Sequence, residues 1–249
     1  MGKIIALTGC KGGCGTTVLT AVLGREYAAI GKKTCLVDMN AGLRALDIAL
    51  HVQDRVVFDL FDLCEDECAM EQVLIEAAPN LHMIAAPQLS DGRELSEKTL
   101  VRALNRLKKR FDAVLLNAPC CIYPMGRLAC GCADEIILVS GPGDIAARNT
   151  ERACAVLRED SPTIHFVINQ HEERLVKAGQ ASDPEAISAY LDVPLIGVIP
   201  KAEDVSAKTG EGTAAFPKQF REAVHDMALR LNGQSIPFKK HPWRFPWHS

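Results

Sequence analysis

Seven short apolar runs restrict this chain more than any other feature, each bounded by a longer stretch with helical spacing. The runs span residues 3–8, 34–38, 81–85, 113–117, 135–140, 163–169 and 195–199. Two of them read AVLLN and EIILVS. They are apolar continuously rather than alternately, the pattern of strands covered on both faces. Helical spacing covers residues 17–30, 94–109, 127–132, 146–158, 184–190 and 217–231. Strands alternating with helices predict an α/β fold, a mostly parallel sheet with helices on both faces. Ligands of such sheets bind beyond the carboxyl ends of the strands, where the loops after Thr8, Asp38, Asn117 and Asn169 would lie. The 249 residues suit one domain over 1–236, followed by a compositionally distinct tail over 237–249.

The first run leads into ALTGCKGGCGTTVLTAV. Three glycines fall in the four positions Gly12–Gly15, directly before a helix start. Glycine reaches backbone conformations closed to other residues and lets N–H groups converge on an anion. The positive end of the following helix strengthens such a nest. A phosphate-binding loop is the reading this pattern supports. A strict G-x-x-x-x-G-K-[ST] search nevertheless fails, because Cys10 stands at the first glycine and Thr16 at the lysine.

Read as Lys11-Gly12-Gly13-x-Gly15, the loop resembles the deviant phosphate loop K-G-G-x-G-K-[ST] of the MinD/ParA ATPase family (deviant Walker A P-loop ATPases). The resemblance covers most of residues 1–232. LVDMNAGLRALDIAL is similar to the family's D-x-D-x-G-L-R-N-L-D segment at Asp38, Gly42, Leu43, Arg44, Leu46 and Asp47. RVVFDLFD also resembles the family, and FDAVLLNAPC resembles its Walker B strand. ADEIILVSGPGDIAARNTERA and LIGVIPKAEDV resemble the later strands. The GLRxLD segment favours the septum-site-determining MinD branch over ParA and the flagellar-number relatives.

The resemblance implies a three-layer P-loop NTPase fold that binds ATP or ADP with Mg2+. It implies nucleotide contacts from Lys11, Gly12, Gly13, Cys14, Gly15, Thr16 and Thr17, with Thr17 and Asp38 on the magnesium side. Asn169 falls near the family's adenine contact, and equally suits a simple strand-end turn. A homodimer is implied across the nucleotide site, with Lys11 reaching the partner's phosphates. A MinC-like division inhibitor and a topological factor are the implied partners.

Three departures fall on this machinery. The family positions for catalysis are held by Lys11, Asn40 and Asn117, and the two asparagines replace aspartates. Asn40 stands where a carboxylate orients the attacking water, and an amide is no base. Asn117 stands where the Walker B aspartate helps hold the magnesium shell. Thr16 offers one neutral hydrogen bond in place of a lysine's charge. A charged hydrogen bond is worth roughly 1.5–3 kcal/mol, so ATP binding weakens about tenfold to a hundredfold. A pseudo-ATPase or very slow ATPase in division-site placement is expected. The alternative is a working ATPase that cycles between membrane and cytosol.

Composition narrows the setting. The net charge of −3 gives no reason to expect nucleic-acid binding, and the basic stretch at 102–110 reads as a solvated helix face. No run approaches the roughly 18 apolar residues of a membrane span, and the N-terminus does not read as a signal peptide. A cytoplasmic protein is expected, with most of its ten cysteines reduced. Cys10, Cys14, Cys120 and Cys121 would converge near the loop, which leaves a zinc or iron–sulfur site as a distant alternative. The tail, SIPFKKHPWRFPWHS, mixes Phe238, Trp243, Phe245 and Trp247 with Lys239, Lys240 and Arg244. Pro242 and Pro246 exclude a continuous helix, while the composition suits peripheral contact with an anionic bilayer.

Overall fold

The computed structural model describes residues 2–88, 93, 95–158, 163–203 and 215–238. Its strands are β1 (Lys3–Gly9), β2 (Thr34–Asp38), β3 (Ile75–Ala78), β4 (Leu81–Ile84), β5 (Ala113–Asn117), β6 (Glu135–Ser140), β7 (Ile164–His171) and β8 (Leu195–Pro200). They form one sheet in the order β3-β4-β2-β5-β1-β6-β7-β8. Every pairing is parallel except β3 with β4. All seven runs read from the sequence are strands. β3 was not among them.

Successive residues of each strand feed opposite faces, as the pleat requires. Ile5 and Leu7 pack with Leu19, Val22 and Leu23 of α1 (Thr16–Ala29) and with Phe220, Val224 and Met227 of the last helix, Lys218–Leu231. Ile4 and Ala6 pack with Leu100, Leu104 and Leu107 of the helix Glu97–Lys108, and with Ala129 of Pro124–Gly131. The result is three layers, helices over both faces of a buried sheet. Short helices at Leu46–Leu50, Leu60–Cys64, Met70–Val73 and Glu173–Lys177, a 3-10 turn at Gln53–Arg55, and the helices Asp144–Leu157 and Pro184–Leu191 complete the described elements.

Strand order reverses at β1, which lies between β5 and β6. That reversal opens a crevice beyond the carboxyl end of β1, and there the glycine loop sits. Three helix starts are closed by side chains: Asp59, Ser96 and Asp183 each accept a backbone N–H of their own helix. At α1 no side chain caps the start, and Gly15 takes the left-handed conformation at φ 85° and ψ 22°.

The last described residues are held down. The Arg230 guanidinium donates to the carbonyls of Ile196 (2.9 Å), Ile236 (2.8 Å) and Pro237 (3.2 Å). Its charged plane lies 3.9 Å from the Phe238 ring centroid. Residues 239–249 lie outside the described residues, so the aromatic and basic tail is placed only at its base. The basic helix Glu97–Lys108 spends its cations on neighbours: Arg102 pairs with Asp66 at 2.8 Å and Lys108 with Asp134 at 2.7 Å. Arg110, just beyond it, pairs with Glu71 at 2.8 Å. Among the described residues no helix is long and apolar enough to cross a membrane.

Candidate functional site

The loop from Cys10 to Gly15 is fixed from several sides. Cys10 donates its backbone N–H to the Val139 carbonyl at 3.4 Å, and its thiol lies 3.2 Å from the Thr150 hydroxyl. On the other flank the Asn169 amide donates to the Cys14 carbonyl at 2.9 Å. Gln170 donates to the Gly13 carbonyl at 3.1 Å. The end of β7 therefore braces the loop by holding the Gly13 and Cys14 carbonyls. A Cβ on Gly15 would stand 2.4 Å from the Asn169 amide nitrogen, so glycine is required by space as well as by its φ. Lys11, Gly12 and Gly13 are exposed at the tip, while Cys14 is buried. The Thr16 hydroxyl faces inward, 3.2 Å from the Cys14 thiol.

Below the loop, Asp38 is a fully buried hub. Its Oδ1 accepts from the Asn40 backbone N–H (3.1 Å), the Asn40 amide (3.1 Å) and the Asn117 amide (3.0 Å). Its Oδ2 accepts the Leu46 N–H at 3.1 Å. Burial nonetheless pushes the Asp38 carboxyl above its ordinary range, against the pull of these donors. Asn117 Nδ2 also reaches the Thr17 hydroxyl at 3.3 Å, and Asn40 Nδ2 also reaches the Asn117 carbonyl at 2.9 Å. Both amide orientations follow from chemistry, because a carboxylate and a carbonyl can only accept. Asn117 Oδ1 is buried and accepts nothing among the described residues.

Lys11, Gly12, Gly13, Cys14, Gly15, Thr16, Thr17, Asp38, Asn40, Asn117 and Asn169 thus gather along one strand edge. Asn169 reaches the loop backbone through its amide nitrogen. Two contributors escaped the sequence. Gln170, at φ 58°, grips Gly13 from a position that gave only a strand-end signal. Leu46 acts through its backbone N–H alone, which no residue pattern reveals. Arg44, at φ 37°, orders this turn by donating to buried Asp47 at 2.6 Å.

The thiols behave as small buried groups. Burial pushes Cys10 and Cys121 each up to about 12, which keeps both protonated near neutral pH. Among the described residues no three His, Cys, Asp or Glu side chains gather as a metal site. The strand β5 exit is packed closely too. A Cβ on Gly126 would fall 2.3 Å from the Cys120 carbonyl oxygen and 2.7 Å from that of Pro119. Backbone cannot yield as a flexible side chain can. Gly126→Ala should therefore cost about 2–3 kcal/mol in a urea titration. A loss under about 0.5 kcal/mol would show that the Pro119–Cys120 backbone gives way freely.

Comparison with known proteins agrees with this geometry. Residues 5–215 match the family described as the CobQ/CobB/MinD/ParA nucleotide binding domain. The septum site-determining protein MinD of Synechocystis sp. is 33% identical over 245 residues, covering 96% of this chain and 92% of that protein. A chain of the Aquifex aeolicus MinC:MinD cell division protein complex is 28% identical, with a TM-score of 0.87, over 96% of this chain and 99% of that one. The Pyrococcus horikoshii septum site-determining protein MinD, complexed with Mg-ADP, is 24% identical and shares the fold. Its TM-score is 0.82, over 93% of this chain and 96% of that one.

Proposed function

This chain belongs to the CobQ/CobB/MinD/ParA nucleotide-binding family, and on that premise we propose that it is a nucleotide-binding protein of division-site placement with little or no ATP hydrolysis. The observation that carries this reading is the open start of α1. Gly15 holds the left-handed turn there, no side chain caps the helix, and Asn169 and Gln170 hold the Cys14 and Gly13 carbonyls. The N–H groups of Gly12 to Thr17 remain to receive the β-phosphate and its neighbours. Lys11, exposed at the tip, reaches the phosphates of a second copy docked across the loop.

Hydrolysis is weak because the Asp38 carboxyl is fully buried and already accepts four hydrogen bonds, and Asn40 cannot act as a base toward water. Asn40 is an amide whose Nδ2 is committed to Asp38 and the Asn117 carbonyl. Thr16 brings no charge to the γ-phosphate. The protein then serves as a scaffold whose nucleotide state sets its assembly. A division inhibitor like the MinC of the Aquifex complex is the partner, with a topological factor beside it. The aromatic and basic tail makes the peripheral membrane contact.

Equilibrium dialysis against ATP tests the nucleotide part directly. Wild type should hold ATP with a submillimolar Kd, and Gly15→Val should bind at least about tenfold more weakly, since the Asn169 brace and the helix start are both displaced. Equal retention by the two proteins, or none by wild type, would remove the loop as a phosphate site.

A further inference from the structure

The fold family implies a divalent cation beside the phosphates, on Thr17 and Asp38. The side chains here do not fit one. Magnesium asks for oxygen donors at about 2.0–2.1 Å in a near-octahedral shell. Between the two oxygens it would share lies an amide NH2 instead: Asn117 Nδ2 stands 3.3 Å from Thr17 Oγ1 and 3.0 Å from Asp38 Oδ1. That nitrogen turns hydrogens, not lone pairs, toward any ion.

On the side that faces Thr17, Asp38 has nothing left to give: a carboxylate oxygen offers about two lone-pair sites, and Oδ1 already accepts from Asn40 N, Asn40 Nδ2 and Asn117 Nδ2. Oδ2 accepts the Leu46 N–H. The remaining amide oxygen, Asn117 Oδ1, is buried and accepts no hydrogen bond among the described residues. Turning the amide over would bring Oδ1 against Asp38 Oδ1, oxygen facing oxygen, at the 3.0 Å where a hydrogen bond now lies.

We infer that this site binds its nucleotide without a divalent cation, the Asn117 and Asn40 amides serving Asp38 in the cation's place. The inference rests on the nucleotide reading above and goes beyond it. The three departures at Thr16, Asn40 and Asn117 then form one compensated set. Two negative charges and one positive charge are absent from the chain, and the divalent ion that the negative charges would hold is absent with them.

The test has two arms on the full chain. In the first, the melting temperature of the nucleotide-free protein is compared in MgCl2 and in EDTA. No shift is expected for wild type, and a rise is expected for Asn117→Asp, whose new carboxylate faces Thr17 and Asp38. Stabilisation of wild type by Mg2+ would overturn the inference. In the second, ADP affinity is measured by calorimetry in the same two buffers. Affinity should be the same or lower with Mg2+, and an increase beyond about threefold would also overturn it. ADP binding in neither buffer would count against the nucleotide reading, while the first arm still decides the cation question. Should Asn117→Asp fail to fold, both wild-type comparisons stand without it.

Discussion

Asn117→Asp is expected to lower the unfolding free energy by about 2–4 kcal/mol at pH 8 without divalent ions. The substitution removes the Nδ2 hydrogens that Asp38 and Thr17 accept, and sets a second carboxylate 3.0 Å from Asp38 Oδ1. Both groups are fully buried, so solvent screens little of the repulsion. Burial already holds Asp38 above its ordinary range, and a neighbouring carboxylate moves in the same direction. A carboxyl whose folded-state pKa is raised binds its proton more tightly in the folded chain than in the unfolded one. Its stability contribution is complete below the unfolded value, about 3.9 for aspartate, and is lost as pH rises through the raised value. The penalty of Asn117→Asp should therefore shrink between pH 8 and pH 5. Urea titrations of both proteins at the two pH values read this directly. A penalty independent of pH would mean that packing, not charge, carries it.

The second large effect is a gain. Thr16→Lys, Asn40→Asp and Asn117→Asp together should raise Mg-ATP turnover by about a hundredfold or more over wild type, since charged groups aimed at the transferring phosphoryl are among the strongest catalytic terms. Lysine restores a cation beside the new carboxylates, so the triple variant should also be more stable than the summed single changes suggest. Steady-state phosphate release settles the first claim. Wild-type turnover equal to that of the triple variant would remove the pseudo-ATPase reading and leave a working, membrane-cycling ATPase in its place.

Much of the architecture was legible because burial on both faces leaves a plain mark. AVLLN is β5 over Ala113–Asn117, and EIILVS is β6 over Glu135–Ser140, as read. IEAA was not legible as β3, because an edge strand with one exposed face shows no continuous apolar run. Helices of four or five residues, such as Met70–Val73 and Leu60–Cys64, are too short to establish a period. At the site, the glycines announced the loop, but its braces did not. Asn169 and Gln170 act on carbonyls across 155 and 157 positions of chain, which only the closed sheet brings together. The sequence also read Asn40 and Asn117 as subtractions of charge. Their donated hydrogens, aimed at one carboxylate, depend on side-chain directions that residue identity leaves open.

The clamp at Arg230 has a consequence for orientation. The Lys32 ammonium bonds the Asn232 side chain, so the end of the last helix lies beside the carboxyl end of α1. The phosphate loop stands at the other end of that helix, whose 14 residues span about 21 Å. Under the proposed function, the anion and the tether would then lie at opposite poles of the molecule. A bilayer contact made beyond Phe238 would leave the loop facing away from that surface, open to a second copy.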